Sequence, residues 1–159
     1  TGMLLDSSTL RPNLDRGTDL GSPSFRWDDI YAYSSEITTS DERLKQDIRS
    51  LSEKELAVAE SISLVSYRWI DSVEEKGDDA RIHVGVIAQE LKKAFEDQGL
   101  DAADYAMWCE DEVFEDVEVT NEDGSKTTER VSKGTRMSVR MAQVNSFVLA
   151  ALMKKLKDS

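Results

Sequence analysis

Apolar positions recur with different periods along the chain, and the changes of period mark off its segments. The most regular pattern is the last. Met141, Val144, Val148, Leu152 and Leu156 form one stripe, widened by Phe147 and Ala151, which predicts a long C-terminal helix. Lys154, Lys155 and Lys157 fall where they complement the negative end of its dipole. The stripe suits either packing on the domain's own core or a parallel bundle around a symmetry axis, and it is too short to establish a coiled coil. Further upstream, Leu44, Ile48 and Leu51, then Leu56, Ala59 and Ile62, are spaced by three and four and predict two short helices. Ser52 followed by Glu55 is a capping-box pattern that would start the second. Residues 62–70 are β-branched and aromatic and predict a strand, followed by a charged loop from Glu74 to Asp79 around Gly77. Residues 82–87 predict another strand, running into a helix from Gln89 to about Gln98 that Gly99 closes.

Residues 113–133 have the signature of a hairpin. Val113, Val117 and Val119 lead into the turn Asn121-Glu122-Asp123-Gly124, and Thr127, Thr128 and Val131 return from it. Both faces of its arms are polar, and such a hairpin does not hold itself together in water, so packing along another chain is expected. Residues 1–39 sustain no period. They carry both prolines, Pro12 and Pro23, with Gly2, Gly17 and Gly21, and read as short strands and turns. So few residues do not bury a core alone and are expected to join a larger β-rich assembly or a multimer. The fold class is α+β: a short β-rich N-terminal stub, then a mixed helix and strand domain with a polar hairpin arm and a long C-terminal helix.

Charge removes several partners from this picture. With 20 basic and 32 acidic residues the net charge is −12, which lacks the basic footprint that nucleic acid or an anionic membrane surface requires. No run of about 18 apolar residues and no charged-then-apolar leader is present, so neither a membrane span nor an export signal is expected. The start at Thr1-Gly2-Met3 suggests a piece of a longer polypeptide. Cys109 stands alone, which excludes an internal disulfide and fits folding in a reducing cytoplasm.

Candidate chemistry is sparse. One histidine, His83, and one cysteine exclude most metal sites and triads; no metal and no cofactor is expected. The acidic run from Glu110 to Glu118 lacks the glycine of a calcium loop and reads as a solvated face. On propensity, Ser40 is a helix N-cap and Lys45 a solvated helix residue. His83 reads as a surface or inter-chain histidine, Gln89 and Glu90 as contact or capping residues, and Trp27, Trp69 and Trp108 as packing residues.

A wider constellation changes the reading of Ser40 and Lys45. Ser-Asp-Glu-Arg-Leu-Lys at 40–45, Tyr67-Arg68-Trp69, Gly85-Val86-Ile87-Ala88-Gln89-Glu90, and Val139-Arg140 through Leu149-Ala150-Ala151-Leu152 occur in this order. Together they resemble the C-terminal intramolecular chaperone and auto-processing domain of phage tailspikes and tail fibres, including the endosialidase tailspikes. The resemblance spans 40–159 and departs at Met141, where a tyrosine or similar residue is expected. The pieces Leu10-Arg11-Pro12, Leu20-Gly21-Ser22 and Phe25-Arg26-Trp27 look like the tip of the fibre shaft, so that 1–39 would end the shaft and 40–159 form the chaperone.

The resemblance implies a homotrimer that brings the upstream shaft of the same chain into register in the host bacterial cytoplasm. The bond between Thr39 and Ser40 is then cut; residues 1–39 stay with the virion tail and 40–159 are released. Ser40 would be the nucleophile and Lys45 its base, with His83, Gln89 and Glu90 assisting or at an interface. A serine hydroxyl needs such a base. Free lysine, with a pKa near ~10.4, is neutral in only about one molecule in two thousand at pH 7, so burial must favour the neutral form. Asp41, Glu42 and Asp47 would oppose this and are expected to point elsewhere. Five residues along a straight helix turn through about 140°, so Ser40 must precede the first turn or Lys45 must act across chains. The competing expectations are a trimeric tip or receptor-binding cap that does not cut, and a regulatory protein freeing a DNA-binding part from a membrane, for which no basic region or membrane segment is present.

Overall fold

The computed structural model of the chain describes residues 2–5, 8–33, 38–121 and 124–158. The chain divides into two compact units: residues 1–38 with 111–136, and residues 39–110 with 137–159.

The core of the second unit is built on three of its helices. Helix α1, Glu53–Ser61, starts at the predicted capping box: the Ser52 hydroxyl accepts from the Glu55 backbone, and the Glu55 carboxylate accepts from the Ser52 backbone. Strand β3, Val65–Tyr67, leads into helix α2, Ile70–Lys76. Strand β4, His83–Gly85, pairs antiparallel with β3, Tyr67 opposite His83. Helix α3, Ala88–Asp97, is followed by Gly99 at φ +67°, the left-handed backbone that glycine adopts without a steric penalty. Helix α4, Met141–Asp158, packs most extensively on α1. The core gathers Val58 and Ala59 of α1, Leu91 and Phe95 of α3, and Val144, Phe147 and Ala151 of α4, with Ala102, Met107 and Trp108 from the intervening segment. Phe95 is its centre, fully buried and 4.4 Å from the Tyr105 ring and 6.0 Å from that of Phe147.

Several expectations are corrected here. The first of the two predicted short helices does not form: residues 42–44 make one 3-10 turn, Lys45 is extended and Asp47 takes φ +53°, which ends any helix. The expected strand over 62–70 shrinks to three residues, and the expected loop from Glu74 is mostly helical. Glu74, Glu75 and Lys76 are good helix formers, and the helix stops only at Gly77, whose φ of +57° closes α2 with its N–H on the Val73 carbonyl. Of the three tryptophans read as packing residues, Trp108 is buried and donates its indole N–H to the Ala88 carbonyl, whereas Trp27 and Trp69 are exposed. The C-terminal stripe splits. Val144, Phe147 and Ala151 enter the core, while Leu149, Leu152, Met153 and Leu156 form an exposed face one sector round the helix.

In the first unit, β1, Met3–Leu5, pairs antiparallel with β2, Leu10–Pro12. Strands β5, Trp108–Thr120, and β6, Lys126–Val139, form the predicted hairpin and continue beyond its expected ends. Asn121 N–H donates to the Ser125 carbonyl and Gly124 N–H to the Asn121 carbonyl; Glu122 and Asp123 of the predicted turn lie outside the described residues. Cross-strand pairs Lys126–Glu118 and Lys133–Glu115 lace the polar arms. The outer hairpin is met by its own chain: Phe114 N–H donates to the Ser24 hydroxyl and Arg136 to the Pro23 carbonyl. The apolar side chains of Leu5, Leu14, Trp27, Ile30, Tyr31 and Tyr33 remain exposed, so the described residues of this segment build no core of their own.

Candidate active site

Six residues carry the candidate chemistry. Asp41, in extended conformation, caps the 3-10 turn Glu42–Leu44 by accepting from the Arg43 N–H at 2.9 Å. Asp41 therefore takes the capping role that propensity assigned to Ser40. The Ser40 hydroxyl is left for another partner, and it accepts from the Lys45 ammonium at 2.7 Å. Lys45 stands just past the turn at φ −122°, ψ 151°, its N–H on the Glu42 carbonyl at 3.0 Å. A single tight turn between extended flanks thus brings the two side chains together within one chain, which a straight helix forbids at this spacing. Thr39 and Ser40 are exposed and lie in neither helix nor strand.

The carboxylate next to this pair is already engaged. Arg43 grips Asp41 through its Nε at 3.0 and 3.1 Å and its terminal nitrogen at 2.5 Å. These side-chain bonds, with the backbone bond from the same arginine, hold the Asp41 carboxyl below its usual value; the charge of Lys45 contributes least. Among the described residues Lys45 forms no ion pair. Lys45 and Ser40 are both exposed, so the burial expected of the lysine is not supplied by its own chain.

The three residues expected to assist lie elsewhere in the same unit. His83 is exposed on β4, stacked on Tyr67 at 5.7 Å and edge-on to Trp69 at 6.1 Å, with Tyr67 and Trp69 themselves 5.3 Å apart. Gln89 and Glu90 occupy the exposed first turn of α3, and Glu90 lines a shallow depression with Ser61, Ile62, Val86 and Ile87. None of the three is bonded to Ser40 or Lys45. Among the described residues no group of His, Cys, Asp and Glu is placed to hold a metal ion, and no helix is long and apolar enough to cross a membrane.

Two features escape the periodicity argument. The Arg43 clamp was visible only as an Asp-x-Arg spacing whose significance depends on the turn. Arg49 reaches six residues forward to pair with Glu55, both terminal nitrogens at 2.7 and 2.8 Å from the carboxylate. No apolar pattern reports such a contact.

Residues 40–100 match the peptidase family described as "Chaperone of endosialidase". The chain is 34% identical over 157 residues to the tail spike protein of Escherichia virus K5, covering 98% of this chain and 24% of that protein. It is 32% identical to the side tail fiber protein pb1 of Escherichia phage T5, covering 89% of this chain and 11% of that one. It is 38% identical over 100 residues to a capsule-specific depolymerase of Klebsiella phage KP32, covering 63% of this chain and 12% of that one. The chain therefore spans between about a tenth and a quarter of the length of these relatives. Among solved structures, one described as a novel intramolecular chaperone shares 36% identity with a TM-score of 0.66, covering 76% of this chain and all of its own. The carboxy-terminal domain of the bacteriophage T5 L-shaped tail fiber with its intramolecular chaperone domain shares 28% identity with a TM-score of 0.70, covering 94% of this chain and 37% of its own.

Proposed function

The chain belongs to the endosialidase-type family of intramolecular chaperones of phage tail spikes and tail fibres, and on that premise we propose that it assembles as a homotrimer and then cuts itself between Thr39 and Ser40. Residues 1–39 are the end of a shaft and residues 40–159 the chaperone that leaves it. Cutting makes the order of events irreversible. Intertwined β-rich trimers have many non-local contacts and fold slowly, and a compact domain that holds three chains together raises their concentration for one another. Once it has gone, the shaft is kept by its unfolding barrier.

The observation that carries the reading is the 2.7 Å contact between the Lys45 amine and the Ser40 hydroxyl, next to the bond to be broken. In the contact as it stands the amine donates. For catalysis the neutral amine accepts: Lys45 takes the hydroxyl proton while Ser40 Oγ bonds to the carbonyl carbon of Thr39. The Thr39–Ser40 C–N bond then breaks, the proton passing to the departing Ser40 nitrogen, which becomes an α-amine. This leaves an ester of Thr39 on Ser40. Water attacks that ester, freeing the Thr39 carboxylate and restoring the hydroxyl. The Arg43 clamp supports the reading, because the guanidinium engages the Asp41 carboxylate that would otherwise be free to pair with the Lys45 amine. Trimerisation is supported by the exposed face Leu149, Leu152, Met153 and Leu156 on α4 and by the exposed apolar side chains of the N-terminal segment.

The test is S40A and K45A in the 159-residue chain. Each is expected to stay full-length on a denaturing gel while the parent yields two fragments whose intact masses place the cut after Thr39. Normal cutting in both variants refutes the dyad; a parent that stays whole is the tip that does not cut.

A further inference from the structure

Glu55 is a buried charged side chain, 2% exposed, that the cutting reaction does not use. Its carboxylate accepts five bonds: from both terminal nitrogens of Arg49, from the Ser52 N–H at 2.6 Å and hydroxyl at 2.7 Å, and from the Tyr105 hydroxyl at 3.0 Å. Helix capping needs only the Ser52 bonds. The other two partners tie it to separate parts of the unit. The Tyr105 ring packs tilted against Phe95, and Phe95 stacks on Phe147 of α4, so one side of Glu55 is tied to the core. The other side is tied to the segment that follows Lys45. Residues 45–50 lie in neither helix nor strand, Asp47 has a positive φ, and Leu44 and Ile48 are exposed. Arg49 is the first side chain after Lys45 for which a bond to the body of this unit is present among the described residues.

We propose that the Arg49–Glu55 pair is a positioning element for self-cutting: it fastens the irregular segment that carries Lys45 to the α1–α3–α4 core, so that Lys45 meets Ser40 only when that core has closed. The inference rests on the reading of Ser40 and Lys45 as the cutting pair. Arg49 touches neither reacting atom and acts through the backbone of residues 45–49. A bidentate guanidinium–carboxylate contact fixes direction as well as distance, which a flexible lysine does not reproduce.

The experiment compares the parent 159-residue chain with R49A/E55Q, R49K and S40A. The double variant removes the tether without leaving a buried charge unpaired, so it keeps the parent's circular dichroism while melting at a lower temperature, by the stability the Glu55 carboxylate contributes at neutral pH. Its cutting is expected to slow about 10- to 100-fold, the scale of a misplaced catalytic group, and R49K to recover part of this. The pH profile separates positioning from stability. The parent's rate levels off at alkaline pH, where the amine base is uncharged, whereas the double variant's keeps rising with hydroxide. A double variant that cuts at the parent's rate with the parent's profile overturns the proposal. Should the double variant fail to fold, R49K at the parent's rate and profile does so instead. S40A that still cuts would remove the dyad reading itself; S40A that stops while R49A/E55Q cuts normally removes only the tether.

Discussion

Placing aspartate at Leu152 and Leu156 tests the trimer at its most specific point. Leu149, Leu152, Met153 and Leu156 are 54%, 53%, 49% and 71% exposed, and they sit at i, i+3, i+4 and i+7, one continuous face of α4. Fully burying a leucine contributes about 1.5–3 kcal/mol, so covering the half to two-thirds still exposed at Leu152 and Leu156 contributes roughly 1–2 kcal/mol each. Losing both removes about 2–4 kcal/mol per chain, before counting the cost of three pairs of carboxylates brought together on an axis. At 1.4 kcal/mol per tenfold, even the lower figure weakens association by more than tenfold for every chain in the trimer. The assay is sedimentation of the S40A chain with and without L152D/L156D, S40A keeping the chain whole. Because both leucines lie outside the core, melting of the single chain changes by no more than about 0.5 kcal/mol. The S40A parent is expected to sediment as a trimer and the variant as a monomer at micromolar concentration. A variant that remains a trimer of unchanged stability, or a parent that is monomeric, refutes the assignment of this face.

R43Q releases the Asp41 carboxylate beside Lys45; cutting is expected to slow and its pH profile to move to more alkaline values, measured by fragment yield against time, and an unmoved profile removes the shielding role of Arg43. Acid stability follows Glu55, whose carboxyl is held well below its ordinary 4.5 first by Arg49 and then by Ser52 and Tyr105, against the opposing effect of burial. A carboxyl lowered on folding contributes stability that is complete above the unfolded value and lost as pH falls towards the folded one. The melting temperature is therefore expected to fall progressively below about pH 5, and E55Q to flatten that fall.

How much of this was legible in the sequence depended on whether a feature is local and periodic. The capping box at Ser52 and Glu55, the amphipathic α3 and its stop at Gly99, the hairpin and the extent of α4 each follow from spacing or from one backbone preference, and all are present. Residues 44–51 failed because their apolar spacing matched a helix while the decisive interactions were polar and non-periodic: Asp41 capping a turn that ends after one revolution, and Arg49 drawn across to Glu55. The 62–70 run failed in the other direction. Its β-branched content favoured a strand, but among the described residues no strand pairs with the chain after Tyr67, and it turns helical at Ile70. The close approach of Ser40 and Lys45 was legible as a condition rather than a fact, since the spacing excluded a helix between them without saying what would replace it.

That condition bears on what assembly would contribute to the cutting reaction. The side chains of Ser40 and Lys45, the nucleophile and base of the proposal, already meet inside one chain through a turn of three residues, so the proposed pair needs no second chain to complete it. What the single chain lacks is dryness: both side chains are exposed, and a lysine serves as a proton-accepting base only where burial disfavours its charged form. Neighbouring chains covering this stretch would supply that by excluding water rather than by lending residues. The division of labour explains why such a domain would not cut prematurely. On the proposed reading the geometry would form with the fold of each chain and the reactivity only with the assembly, so that a shaft without its partners would keep its chaperone.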